Sequence, residues 1–122
     1  MKIILTAASP AIDSAIDPRF GRAAYLILYD TETSEMVTQD NPGANASGGA
    51  GIRTAQLIAN QKAEAVISGE FGPNAFDALQ AGGIAMYRFG TCAKIQEAIN
   101  HFRSGKLERV NASTGQGHHE RR

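Results

Sequence analysis

Apolar positions along the chain fall into short unbroken runs and longer spaced patterns. "KIILTAA", from Lys2, is an apolar run that predicts a buried strand. "AYLILYDT" and "SEMVTQD" flank turn residues around Thr31 to Ser34 and predict a hairpin. "NPGANASGGAG", Asn41 to Gly51, is a loop by composition. Behind it Ile52, Ala55, Ile58 and Ala59 recur at helical spacing, so "IRTAQLIANQ" predicts a helix. "EAVISG" is another buried strand. "PNAFDALQAGG" sets Pro73 in the first turn of a helix and Gly82-Gly83 at its end. "IAMYRF" is the last strand. Thr91 is placed to cap a final helix whose Ile95, Ala98, Ile99 and Phe102 make one apolar stripe, with Gly105 near its end. From Asn111 the period is lost. The expected organisation is one domain over residues 1–110 and a flexible tail over 111–122.

The predicted order is strand, strand, strand, helix, strand, helix, strand, helix. A hairpin start followed by alternation implies an α/β fold, with helices on both faces of a five-stranded mixed sheet. If the first three strands form a meander, the first and third run the same way, and right-handed crossovers make the fourth and fifth parallel to the first. The loops after strands one, three, four and five then open at one edge of the sheet, where open α/β sheets bind ligands.

Those loops carry the candidate chemistry. "SPAIDSAIDPRFGRA" holds Arg19 and Arg22; "NPGANASGGAGIR" brings Gly51 and Arg53; "SGEFGPNA" has Gly69, Gly72, Pro73 and Asn74; "YRFGTCAK" has Arg88, Thr91, Cys92 and Lys94. Three helix N-termini at one rim would offer free backbone N–H groups to an anion. Glycine would let the backbone approach it closely. Four arginines and a lysine would share that rim with Asp13, Asp17 and Glu70. The plain alternative is that Arg19 and Arg22 pair with Asp13 and Asp17 as surface ions. Cys92 reads as a small buried filler, or as a thiolate favoured by a helix N-terminus and open to a metal. His101 follows Glu97 by four residues and reads as an exposed helical pair. His118 and His119 are candidate ligands for a borderline metal.

Composition limits the partners. Twelve Lys+Arg balance twelve Asp+Glu, so no global field points to nucleic acid or a membrane surface. No stretch approaches the ~18 apolar residues of a membrane span. The one cysteine leaves no internal disulfide, which fits a cytoplasmic protein. G-x-x-x-x-G-K-[ST] is missing, and no G-x-G-x-x-G follows the first strand. The first strand has no carboxylate for two-metal phosphoryl chemistry. With the histidines on the last helix and the tail, the sequence offers no Ser-His-Asp or Cys–His pair to propose, and the protein is not expected to be an enzyme.

"DPRFGRAAYLILYD", "NASGGAGIRTAQLIA", "AVISGEFGPNAFDALQAGGI" and "FGTCAKIQEAI" together resemble the dinitrogenase iron–molybdenum cofactor biosynthesis family, over residues 1 to about 107. The resemblance implies a three-layer fold similar to ribonuclease H. It also implies non-covalent carriage or assembly of an anionic metal–sulfur cluster, either a molybdenum–copper sulfide or an iron–molybdenum cofactor precursor. The family motif puts Arg19, Phe20, Gly21, Arg22, Gly51, Gly69, Gly72, Pro73 and Asn74 at the site, to which the rim adds Arg53, Arg88 and Thr91. A single cysteine excludes multi-thiolate ligation. Two other readings compete: an interaction module docking on a partner such as an ATPase, and a phosphoesterase working through Glu70 and a metal.

Overall fold

A computed structural model describes residues 1–11 and 13–111. Its five strands are β1 (Lys2–Ala7), β2 (Tyr25–Asp30), β3 (Met36–Asp40), β4 (Ala65–Ser68) and β5 (Ala85–Arg88), and its α-helices are α1 (Ala50–Asn60), α2 (Pro73–Ala81) and α3 (Ile95–Arg103). The strands lie in the order β3-β2-β1-β4-β5. β1 is antiparallel to β2, with Ile4 opposite Leu28, and β2 is antiparallel to β3. β1, β4 and β5 are parallel, with Ile4, Val66 and Met86 in register. The mixed α/β sheet and its directions are those expected from the sequence.

Strand side chains alternate between two cores. Ile4, Leu26, Val66 and Met86 face α1 and α2, packing with Ile58, Phe71, Phe76 and Leu79. Ile3, Leu5, Ile27 and Ile67 face α3, packing with Phe89, Ile95 and Ile99. Two helices therefore lie on one face and one on the other, and this asymmetry divides the loops at the C-terminal edge of the parallel strands.

The structure revises two local expectations. The segment Asn41–Gly51 is not all loop: Pro42–Asn45 is a 3-10 turn, and α1 begins at Ala50, so Gly51 is already helical. Buried Asn41 organises the segment. Its Oδ1 accepts from the Gly43 N–H (3.1 Å) and the Thr54 hydroxyl (2.8 Å), while its Nδ2 donates to the Ala23 carbonyl (2.9 Å). Thr91 does not cap the last helix. The cap is Lys94, because residues 14–16 draw the preceding chain into extended pairing: the Ile16 N–H donates to Ala93 O (3.1 Å) and the Ile95 N–H to Ser14 O (3.0 Å).

Residues 108–110 pair along the free edge of β5, a feature without a periodic signal. Arg88 N–H donates to Glu108 O (3.0 Å) and Val110 N–H to Met86 O (2.8 Å). An edge strand is thereby covered.

Candidate functional site: a cleft between two helix N-termini

Small residues bring the site together. A Cβ on Gly51 would stand 2.9 Å from the Ala75 Cβ, so the first turns of α1 and α2 touch where neither has a bulky side chain. A Cβ on Gly21 would lie 2.7 Å from Gly51 N and 2.9 Å from its Cα, so the Arg19–Arg22 loop lies directly on the start of α1. Below, the rings of Phe20 and Phe71 pack with centroids 5.3 Å apart and seat this loop on the core. Phe20 is thus an anchor whose buried ring holds its neighbours in place.

Between these elements opens a cleft of about 330 Å³, lined by Arg19, Phe20, Gly21, Arg22, Ala50, Gly51, Glu70, Gly72, Pro73, Asn74 and Ala75. Gly49 caps α1 and Gly72 caps α2, neither with a side-chain hydrogen bond, and neither first turn has an acidic residue. The leading N–H groups of Ala50, Gly51, Asn74 and Ala75 therefore have no partner among the described residues. Two positive dipole ends and four free donors meet in one concavity, an arrangement suited to an anion.

The two arginines differ in state. Arg19 grips Asp17 through Nε (3.1 Å) and Nη2 (2.8 Å), and its own N–H donates to Asp17 Oδ1 (3.0 Å). Burial pushes the Asp17 carboxyl up, but the hydrogen bonds and charge of Arg19 outweigh it and hold the group below its ordinary value. Arg22 has no carboxylate partner among the described residues; its Nη1 donates to the carbonyl of Ala46 (2.6 Å) at the end of the 3-10 turn. Among the described residues no ion pair compensates its positive charge, whereas that of Arg19 is met by Asp17.

A pH dependence follows from the Asp17 pair. Between the folded and unfolded pKa values the unfolded chain binds more protons, so the stabilisation is complete above about pH 4 and is lost as pH falls through the folded value. In thermal unfolding across pH, the advantage of wild type over Asp17→Asn is expected to be largest near neutrality and to shrink below about pH 4. A constant gap down to strongly acid pH would show that Arg19 does not stabilise the carboxylate.

Several expected rim residues are elsewhere. Gly69 packs against Pro18, and its N–H donates to Pro18 O (3.1 Å), so it fixes the loop from behind and does not line the cleft. Arg53 is exposed on α1 outside the cleft. Arg88 lies by Glu108, 4.0 Å away, and Lys94 reaches the Asp13 carbonyl (3.3 Å). Thr91 and Cys92 lie in a turn leading to α3, closed by Cys92 N–H to Phe89 O (3.1 Å). The expected rim of four arginines, a lysine and three helix N-termini is corrected to two arginines and two N-termini, because the β5–α3 connection serves the opposite face. His118 and His119 lie outside the described residues.

Cys92 matches the first of its two expected readings, a small buried filler, being 5% exposed in the α3-side core. Burial, and then the charge of Glu97, push its thiol up, and α3 starts only at Ile95, so the thiolate expected at a helix N-terminus is disfavoured there. Its Sγ lies 3.3 Å from His101 Nδ1, so a Cys–His pair that the sequence pattern alone could not propose does form. The nine-residue separation hid it. His101 is half-buried beneath this turn and is no simple exposed partner of Glu97.

The fold and cleft define a small open-sheet α/β domain with a cleft at the C-terminal edge of its parallel strands. Residues 1–105 match the dinitrogenase iron-molybdenum cofactor family, and the chain belongs to it. It is similar to the apo form of the orange protein from Desulfovibrio gigas, at 35% identity and a TM-score of 0.88, covering 93% of this chain and 96% of that one. It is also similar to a NifB-like protein from Thermotoga, at 33% identity and a TM-score of 0.82, covering 95% and 98% of the two chains. An uncharacterized protein of Methanocaldococcus jannaschii shares 33% identity over 112 residues, 89% of this chain and 91% of that protein. Family membership associates the chain with cofactor-related metal binding. Among the described residues, no helix is long and apolar enough to cross a membrane.

Proposed function

We propose that the cleft receives an anionic, molybdenum-containing metal–sulfur cluster without covalent attachment, and that the protein carries, stores or helps assemble that cluster and does not catalyse a reaction. The observation that carries this reading is the pairing of two helix N-termini without side-chain caps beside an arginine with no carboxylate partner among the described residues. A cluster that brings its own sulfides needs charge neutralisation and N–H···S donors. Arg22 would supply the first, and the amides of Ala50, Gly51, Asn74 and Ala75 the second. Gly21, Gly72 and Pro73 would shape the wall, and Arg19 would stand at its edge.

The donor set favours this cargo over other chemistry. Glu70 is the one carboxylate among the cleft-lining residues, and Asp17 is committed to Arg19, so a two-metal phosphoesterase would lack convergent ligands. The single thiol packs in the core on the other side of the sheet, so a cluster in the cleft would keep its own sulfur ligands. A molybdenum–copper sulfide suits these terms, with copper held by bridging sulfides, and an iron–molybdenum cofactor precursor is the other member of the class.

Reconstitution tests the reading. Tetrathiomolybdate added with copper is expected to give a coloured complex that stays with the protein through gel filtration at moderate salt. Complete separation of metal from protein would sink it.

A further inference from the structure

A second group of metal-ligating side chains lies across the sheet from the cleft. Cys92, Glu97 and His101 bring one ligand atom each to within 4.8 Å of one another, and Cys92 Sγ and His101 Nδ1 are already 3.3 Å apart. We propose that these three residues form a site for one borderline divalent cation of the Zn2+ type, separate from the cluster cleft.

The geometry suits such an ion. A tetrahedral Zn2+ with bonds of about 2.3 Å to sulfur and about 2.0 Å to nitrogen sets those two atoms roughly 3.5 Å apart. The observed pair needs almost no adjustment, and the carboxylate oxygen, within 4.8 Å of the other two ligand atoms, is in reach of side-chain rotation. Glu97 and His101 are one helical turn apart on α3 and share a face. The turn before α3 delivers Cys92 above them, and the Ala93 N–H donates to Glu97 Oε1 (2.8 Å), which holds the carboxylate towards that turn. Thiolate, imidazole and carboxylate are the ligand types zinc takes, and three protein ligands leave a fourth position for water.

Burial gives the site a floor and a mouth. Cys92 is 5% exposed and packs with the α3-side core, His101 is half-buried, and Glu97 is exposed, so an ion would enter from the Glu97 side. An ordinary Glu–His helix pair leaves the approach of Cys92 unexplained. A catalytic thiolate–imidazole pair fares worse, because burial disfavours the thiolate that a nucleophile requires. A cation, by contrast, would take the thiolate as a ligand and displace its proton.

Cobalt(II) is the probe, because a thiolate bound to it gives a near-ultraviolet charge-transfer band, and Cys92 is the only thiol in the chain. Titrating the full-length protein with Co2+ is expected to produce that band and visible d–d absorption at one ion per chain, both removed by excess Zn2+. Cys92→Ser should abolish the band, and Glu97→Gln and His101→Gln should each weaken binding at least tenfold. If Cys92→Ser fails to fold, His101→Gln carries the test. A double variant His118→Gln/His119→Gln should keep the band, as should Arg22→Glu in the cleft. The proposal is overturned if saturating Co2+ gives no charge-transfer band, if His101→Gln leaves the band unchanged, or if the tail variant loses it.

Discussion

Arg22→Glu is expected to release the molybdenum–copper sulfide from the protein during gel filtration while leaving a folded chain. Arg22 is exposed at the cleft and bound only to the carbonyls of Ala46 and, more weakly, Ala44. No carboxylate offsets its charge among the described residues. Two unit charges 4 Å apart at an effective permittivity near 20 interact by about 4 kcal/mol, and reversing one turns attraction into repulsion of similar size. Salt and exposure screen much of this, so the affinity should fall roughly tenfold to a hundredfold. Arg22→Lys keeps the charge and should keep most of the binding. Arg19→Glu should behave differently: it leaves Asp17 without its partner and beside a second negative charge, so stability should suffer first. Lys106→Glu, beyond the end of α3, should change neither. Equal losses of cluster from Arg22→Glu and Lys106→Glu would mean a diffuse field and no site.

Gly21→Ala is expected to lower the thermal midpoint by several degrees and to abolish cluster retention. The added methyl would meet Gly51 N at 2.7 Å, Gly51 Cα at 2.9 Å and the Ala50 carbonyl carbon at 3.0 Å. All three are backbone atoms in the first turn of α1, so nothing can rotate aside, and overpacking of this kind costs about 1–3 kcal/mol. Relief requires the loop and the helix to part, which would move the amides of Ala50 and Gly51 away from Arg22. Gly72→Ala is the informative contrast. Its Cβ meets nothing within 4 Å, and its φ of −65° is open to any residue. Stability should therefore stay within about 1 kcal/mol of wild type, the size of a cap substitution. Gly72 nevertheless lines the cleft, so an added methyl there is expected to lower retention. Full retention in Gly72→Ala would remove close backbone approach from the binding mechanism.

The order of elements, the sheet directions and the edge at which the loops gather were legible in the chain because they depend on local signals. Period-2 and period-3.6 patterning, Pro73 at a helix start and Gly82-Gly83 at its end operate over a few residues. Crossover handedness then leaves little freedom in the topology. The helix start at Lys94 was not legible. Thr91 is the better cap by residue type, but pairing with residues 14–16, some eighty positions earlier, decides the matter. The strap at 108–110 was equally hidden, since an edge partner needs only backbone groups and leaves no apolar period.

By itself, the sequence determined which loops meet at the edge of the sheet and that the "RFGRA" and "EFGPNA" segments contribute to one cleft. Only the tertiary structure decided how those loops divide between the two faces. With α1 and α2 on one side and α3 on the other, the cleft keeps Arg19, Arg22 and two uncapped N-termini, while Arg88, Thr91 and Cys92 pass out of it. Tertiary contact also decided the charge state of the rim, by giving Arg19 a buried carboxylate and Arg22 only carbonyls, and it set Cys92 against His101. The reason is one of range. Local patterning follows from neighbours along the chain, but a side chain's partner is chosen by distance in space, and that exists only once the layers have packed.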